Sequence, residues 1–236
     1  MMLPYFYIPF FDPSHKEIQL DEDTSKHVIQ VLRMKRGGKL QLTDGKGNVL
    51  TAIITGDQKK KCIVEIEEAK LIKPEGRKIT IAISLLRNTG RFEWFLEKAT
   101  EIGISEIIPL ICERTEKQHF RMDRMKNILV SAMLQSQQAW LPVLHEPIAF
   151  EKAVDQSRYD QKFIAHCLPD KKMNLADIVN ESLSSQIILV GPEGDFTTEE
   201  IALALNRHFV PVALGQTRLR SETAGIVAAA ILKNSS

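Results

Sequence analysis

From Lys78 onward, short apolar runs alternate with amphipathic helical patterns, and this alternation constrains the fold more than any other feature of the chain. The predicted strands are 79–86, 104–111, 162–166, 186–190 and 210–214. After the first of them, residues 91–102 place Phe92 and Phe95 on one helical face, and Gly103 ends the helix. Continuous apolar strands separated by amphipathic helices are typical of an α/β fold with a mainly parallel sheet.

The first 72 residues have a different, β-rich pattern. Strand candidates are 39–43, 49–55 and 62–66, a turn is predicted at 44–48, and a helix at 25–34. Pro74 and Gly76 then interrupt both periodicities. We therefore predict two domains: a small β-barrel carrying one helix over 1–73, and the α/β domain over 74–236.

Composition excludes several classes of protein. The 31 basic and 30 acidic residues give a net charge of only +1, which argues against binding nucleic acid by bulk charge but allows a local basic face. No apolar run reaches about 18 residues, so we expect no membrane span, and the first residues do not resemble a signal peptide. The three cysteines form no CxxC pair, which predicts reduced thiols in a cytoplasmic protein without a metal site.

Two loops near the C-terminus follow predicted buried strands and are the strongest candidates for a ligand site. The first is Gly-Pro-Glu-Gly at 191–194, followed by Thr197 and Glu200 at capping-box spacing. Its glycines allow close approach of backbone to a ligand, and open α/β sheets bind ligands at the carboxyl ends of their strands. Taken alone, the same motif also fits a tight turn that binds nothing.

The second loop covers 215–224 and precedes a helix of small residues that would let another backbone or a ligand pack closely. Arg220 and Glu222 lie two residues apart just before this helix, and Ser221 and Thr223 are candidate N-caps. By itself this pair also fits an exposed ion pair. The Rossmann, P-loop, GxSxG and HExxH fingerprints are absent from the chain.

Together these loops resemble the cofactor-binding signature of the SPOUT methyltransferases, in particular the RsmE-type family that methylates N3 of a uridine in 16S ribosomal RNA. The matching stretches are GPEG at 191–194, LG at 214–215, LRSETA at 219–224, HVIQVLR at 27–33, DGKG at 44–47, FEW at 92–94 with KATEIG at 98–103, and ERT at 113–115. They follow the family's order along nearly the whole chain. Two departures are Asp195, where the family often has glycine, and residues 138–140, which fall where an arginine is usual after Gln135 and Ser136.

The resemblance implies a PUA-like N-terminal barrel that helps to hold RNA and a C-terminal domain with a deep trefoil knot that binds S-adenosyl-L-methionine. It also implies a homodimer that acts on 16S rRNA or the small ribosomal subunit. The implied cofactor-binding residues are Leu189, Val190, Gly191, Pro192, Glu193, Gly194, Leu214, Gly215, Leu219, Arg220, Thr223 and Ala224.

Transfer to uridine N3 requires removal of a proton, and a cation near the uracil carbonyls would stabilise the developing anion. Arg220 is the first candidate for this cation and Arg91 the second, while Glu222 either orients Arg220 or accepts the proton. The candidate phosphate contacts are Arg33, Lys35, Arg36 and Arg114.

Three alternatives remain open at this point. The chain could be a SPOUT enzyme acting on another base or RNA, or a non-catalytic RNA-binding or ribosome-assembly module that has kept the fold. It could also be a nucleotide-sugar or phosphate enzyme that uses the GxxG turn. Lack of affinity for S-adenosylmethionine would favour the non-catalytic module over a methyltransferase. Competition by phosphate at residues 191–194 would favour the nucleotide-sugar or phosphate enzyme.

Overall fold

The computed structural model describes residues 3–74, 76–169, 172–180 and 182–234, and the contacts within the chain divide it into two units. The first unit contains the described residues up to Pro74 together with Met133–Leu141, and the second contains the remainder. The predicted boundary between residues 73 and 74 does not include this return of the chain to the first unit. Within the described ranges, every helix is too short or too polar to cross a membrane.

The first unit is built on a five-stranded sheet. Its strands are β1 (Tyr5–Tyr7), β2 (Glu17–Gln19), β3 (Lys39–Thr43), β4 (Asn48–Gln58) and β5 (Lys61–Leu71), in the order β1-β3-β4-β5-β2. β1 runs parallel to β3, and the other neighbouring strands are antiparallel. Register shifts in the long β4–β5 hairpin bend these strands, and the core contains Leu40, Leu50 and Val64.

The helix predicted at 25–34 is replaced by two shorter elements. Helix α1 (Glu22–Lys26) is capped by Asp21, whose carboxylate accepts the N–H of Thr24, and a π-helix then covers His27–Val31. Three of the five π-helical residues are β-branched, which disfavours a continued α-helix. Arg33 follows in a left-handed conformation, with φ +54°, and ends the helical path.

The predicted turn at 44–48 joins β3 to β4, and the returning segment packs on it. Asp44 is buried and accepts backbone hydrogen bonds across the turn, while Gly45 and Gly47 have positive φ angles. A Cβ on Gly47 would lie 2.6 Å from Cζ2 of Trp140, and the indole N–H of Trp140 donates to the carbonyl of Ile72 at 3.0 Å. The side chain at position 140 therefore stabilises the first unit.

The second unit contains a parallel sheet surrounded by helices, as the alternating pattern predicts. Its strands are β6 (Lys78–Ser84), β7 (Glu106–Ile111), β8 (Val143–Leu144), β9 (Ile148–Ala149), β10 (Gln161–Ala165), β11 (Met173–Asn174), β12 (Ser185–Val190) and β13 (Val210–Ala213). Its helices are α2 (Thr89–Ile102), α3 (Met122–Gln135), α4 (Phe150–Asp155), α5 (Leu175–Ile178), α6 (Thr198–Asn206) and α7 (Ser221–Asn234), of which the last turn of α3 belongs to the first unit. The strand order is β11-β13-β10-β12-β6-β7-β8, and β9 also pairs with β7. The trefoil knot stays a prediction.

Helix α7 packs closely on α2 and β6. A Cβ on Gly225 would lie 2.7 Å from the ring of Phe95 in α2 and 3.1 Å from Cδ1 of Ile83 in β6. The prediction that small residues in this helix allow close approach is therefore confirmed. The prediction that Ser221 or Thr223 caps α7 is wrong, because the helix begins at Ser221 and includes both residues.

Candidate functional site

The candidate site lies at the carboxyl edge of the parallel sheet, where the loops after β6, β7, β10, β12 and β13 meet. Strand β12 is central, between β10 and β6, and its last residues Leu189 and Val190 are buried. The predicted cofactor loop continues directly from it. Gly191 and Pro192 are buried, whereas Glu193 and Gly194 are exposed.

Three carboxylates in the segment after β12 hold the neighbouring loops in place. Each accepts a backbone N–H from the loop that follows a different strand. The bonds run from Arg87 after β6 to Glu193 (3.2 Å), from Cys167 after β10 to Asp195 (2.7 Å), and from Glu113 after β7 to Glu200 (2.9 Å). The sequence pattern gives no sign of these bonds, because each joins residues far apart in the chain.

Asp195 explains how this chain departs from the glycine usual at that position. Its φ is +64°, in the left-handed region that favours glycine. One carboxylate oxygen accepts the N–H of Phe196 at 2.9 Å and the other accepts the N–H of Cys167 at 2.7 Å. These two hydrogen bonds offset the conformational cost.

Arg114, predicted to contact phosphate, holds the cofactor loop in this structure. Its Nη1 donates to the carbonyl of Gly194 at 2.7 Å and to that of Phe196 at 3.4 Å. A Cβ on Gly194 would lie 3.3 Å from Cδ of Arg114, so a larger residue there would press on this arginine. A phosphate contact by Arg114 stays a prediction.

The second loop, predicted over 215–224, follows β13 at the same edge and is shorter in the structure, because α7 already begins at Ser221. Gly215 is exposed, with φ +142° and open space around the position of a side chain. Leu214, Leu219, Thr223 and Ala224 are half-buried. The guanidinium of Arg220 is exposed, and no carboxylate of the described ranges lies within ion-pair distance of it.

Glu222 instead lies beside Arg91. Its Oε1 is 3.6 Å from Nε of Arg91, and its side chain is 8% exposed. The other oxygen, Oε2, is buried and has no hydrogen-bond partner among the described residues. The structure therefore joins Glu222 to the second cationic candidate, through the packing of α7 on α2, whereas sequence proximity suggested Arg220.

A buried thiol at this edge is unsuited to nucleophilic chemistry. Cys112 ends the β7 segment, and burial raises the pKa of its thiol to about 12. The thiol is consequently protonated near neutral pH. Of the three predicted catalytic residues, Glu222 has a side chain that can accept a proton, whereas Arg220 and Arg91 are candidates for stabilising negative charge.

The three candidate phosphate contacts of the first unit lie in the loop after the π-helix. Arg33, Lys35 and Arg36 are all exposed. None forms an ion pair within the ranges that the structure covers, so their charges face solvent. Contact of these residues with RNA stays a prediction.

Comparison with known proteins identifies the family. A model described as "RNA methyltransferase PUA domain" matches residues 20–67, and one described as "RNA methyltransferase domain" matches residues 73–233. Ribosomal RNA small subunit methyltransferase E of Synechocystis sp. is 32% identical over 215 residues, covering 86% of this chain and 69% of the relative. The chain belongs to the ribosomal RNA small subunit methyltransferase E family.

Other members of the ribosomal RNA small subunit methyltransferase E family agree in length and in fold. The Rickettsia conorii relative is 28% identical over 222 residues, covering 92% of this chain and 89% of its own. The crystal structure of the Neisseria gonorrhoeae member bound to S-adenosylmethionine superposes with a TM-score of 0.86 at 31% identity, covering 97% of this chain and 95% of that one. The resemblance deduced from the motifs is confirmed.

Proposed function

We propose that this chain transfers the methyl group of S-adenosylmethionine to N3 of a uridine in the 16S rRNA of the small ribosomal subunit. Family membership supports the cofactor and the class of substrate. The observation that carries the choice of chemistry is the buried carboxylate of Glu222, one oxygen of which has no partner in the described structure. Such an orphaned acceptor suits a substrate that arrives with an N–H to donate.

The residues present at the sheet edge fit the proposed cofactor. Leu189 and Val190 are apolar and buried at the end of β12, and the exposed Gly215 has open space where a side chain would stand. Gly191, in contrast, is tightly packed, because its Cβ would lie 3.2 Å from the ring of Phe196. When bound, S-adenosylmethionine supplies an electrophilic methyl group on a sulfonium, so the protein contributes mainly positioning, worth roughly 7–11 kcal/mol in favourable cases.

The side chains near Glu222 suggest how the proton of N3 is handled. Oε2 of Glu222 accepts the proton as the N3 lone pair becomes available, while Arg91 keeps Oε1 in place. A buried carboxylate beside a single arginine is suited to this exchange because its free oxygen is shielded from water. Arg220, exposed and unpaired in the described ranges, is free to approach a uracil carbonyl and stabilise negative charge.

A homodimer and the separate roles of the two domains also belong to this proposal. Ile226, Val227 and Ala230 on α7 are only partly buried, which leaves an apolar strip suited to a second copy of the chain. The first domain, up to residue 73, would bind RNA through Arg33, Lys35 and Arg36. With such a substrate, we propose that the enzyme acts in the cytoplasm.

The test is methyl transfer from labelled S-adenosylmethionine to unmodified small ribosomal subunits, followed by nucleoside analysis. We expect N3-methyluridine from the wild type. Glu222→Gln should lower kcat by about 100-fold or more, within the usual range for loss of a general base, and should leave cofactor affinity within about twofold. Glu199→Gln, an exposed glutamate on α6, serves as the matched control and should retain full activity.

Two outcomes would contradict parts of the proposal. Label in another nucleoside would move the target base while keeping the cofactor. Normal turnover of Glu222→Gln with N3-methyluridine as product would exclude Glu222 as the proton acceptor.

A further inference from the structure

A cationic pocket lies at the start of α2 and α3, apart from the cofactor loops. The cavity has a volume of about 230 Å³. Its lining residues are Thr89, Glu93, His119, Arg121, Arg124 and Met125.

The charges of this pocket leave one arginine free. Arg124 donates two hydrogen bonds to Glu93, from Nε to Oε1 and from Nη2 to Oε2, and these bonds lower the pKa of the Glu93 carboxyl. The negative charge of Glu93 is thereby matched. The guanidinium of Arg121 is exposed and forms no ion pair with any residue that the structure describes. With two arginines against one glutamate, the lining carries a net positive charge.

The two helices reinforce this charge. Thr89 is the first residue of α2 and Arg121 immediately precedes α3, and both helices have 14 residues. The N-terminus of a helix carries a partial positive charge from its unpaired N–H groups and aligned peptide dipoles. Two such ends beside an unpaired arginine favour an anion over a neutral ligand.

We propose that this pocket binds a backbone phosphate of the RNA substrate, with Arg121 as the principal contact. The volume accommodates a phosphodiester and part of its ribose, and the hydroxyl of Thr89 is available as a further donor. The pocket shares the first turn of α2 with Arg91, so a strand held there passes beside the proposed reaction site. The inference deepens the proposed function and rests on it for the identity of the ligand.

The experiment measures binding of unmodified small-subunit rRNA over a range of salt concentrations. The variants are Arg121→Gln, the charge-conserving Arg121→Lys, and Lys126→Gln as the matched control. Lys126 lies exposed on the same helix but outside the pocket, so its variant loses the same charge from another place. Cofactor affinity is measured alongside to show that the fold is intact.

We expect Arg121→Gln to weaken RNA binding about tenfold at physiological salt and to reduce the slope of log K against log salt by about one, as for the loss of one phosphate contact. Arg121→Lys should recover most of the affinity, and Lys126→Gln should remain within about twofold of the wild type. Unchanged affinity and slope in Arg121→Gln would overturn the inference, as would an equal loss in Lys126→Gln. If the wild type methylates no RNA, the proposed function fails, but the binding comparison still decides whether this pocket holds phosphate.

Discussion

Asp195 shows how a single side chain can make a glycine-like backbone acceptable. In the left-handed region a residue with a Cβ is disfavoured by roughly 1–2 kcal/mol, less for aspartate, whose short side chain bonds locally. Here the carboxylate accepts two backbone N–H groups, one of them from the loop after a neighbouring strand. Where glycine would tolerate this backbone conformation through its lack of a side chain, Asp195 stabilises it with two hydrogen bonds.

We predict that Asp195→Ala destabilises the protein more than Asp195→Gly. Alanine loses both hydrogen bonds and keeps the unfavourable φ, for an expected loss of about 2–3 kcal/mol. Glycine loses the same bonds but removes the strain, so its loss should be about 1 kcal/mol. Urea unfolding measures both values, and an equal loss in the two variants would mean that the φ of +64° carries no cost.

The residues of the site were partly predictable. The motifs predicted the loops that meet at the sheet edge, and the catalytic roles that they suggest for two arginines and one glutamate stay predictions. They did not show that Glu222 lies against Arg91, because that pairing depends on α7 packing closely on α2 at Gly225. Nor did they identify the pocket at Arg121, whose lining residues come from two stretches of the chain, 89–93 and 119–125.

The sequence predicts the strands accurately where the hydrophobic pattern is long. The strands predicted at 79–86, 162–166, 186–190 and 210–214 correspond to β6, β10, β12 and β13, with ends that differ by at most two residues. A strand covered on both faces is apolar throughout and is easily recognised. Strands β8, β9 and β11 have two residues each and are too short to show any periodicity.

A polar cluster joins the first residues of β6 and β7 and yields a pH prediction. Glu106 on β7 accepts hydrogen bonds from Thr80 (3.0 Å) and Tyr159 (2.8 Å), and Lys78 lies 2.9 Å away. Burial acts to raise the pKa of Glu106, but the hydrogen bonds from Lys78, Tyr159 and Thr80 together lower it below its ordinary value. Burial, with the hydrogen bond to Glu106, raises the pKa of Tyr159 to about 12.

Because the folded-state pKa of Glu106 is depressed, its ionised form stabilises the fold fully above the ordinary value of 4.5. This contribution disappears as the pH falls through the lower, folded-state value. Glu106→Gln should therefore reduce the free energy of unfolding at pH 7, and the difference from the wild type should shrink below pH 4.5. Urea unfolding across this range tests the prediction, with Glu199→Gln as a control, and a difference independent of pH would contradict it.

At the scale of the molecule, the two units are not consecutive pieces of chain. The segment Met133–Leu141 belongs to the first unit, although the residues on either side of it belong to the second. Composition and turn signals locate a change of pattern near residue 74 but contain nothing about this return. Long-range contacts hold the segment there, among them the packing of Trp140 on Gly47 and the hydrogen bond from the N–H of Gly47 to the carbonyl of Ala139.

We predict that Trp140→Ala weakens the first unit selectively. The substitution removes the ring packed on Gly47 and the hydrogen bond to Ile72, and because Trp140 is 38% exposed we expect a loss of about 2 kcal/mol, below the range for a buried tryptophan. Hydrogen exchange should accelerate in the β3–β4 turn and remain unchanged at 191–195. Trp94→Ala, at a tryptophan of similar exposure on α2, is the control, and equal acceleration in the β3–β4 turn would contradict the assignment.

The hydrogen bonds that anchor the loops at the sheet edge depend on side chains at one end only. Their partners at Arg87, Glu113 and Cys167 contribute main-chain N–H groups, which every amino acid except proline possesses. Those three positions are thus free to vary in side chain during evolution without loosening the cofactor loop. At Glu193, Asp195 and Glu200 the acceptor atom belongs to the side chain itself, so a glycine at position 195, as is usual in the family, makes neither of the two hydrogen bonds of Asp195. In this chain the framework beneath the candidate site therefore depends on three acidic side chains within eight consecutive positions, whereas the surrounding surface can change without loss of these bonds.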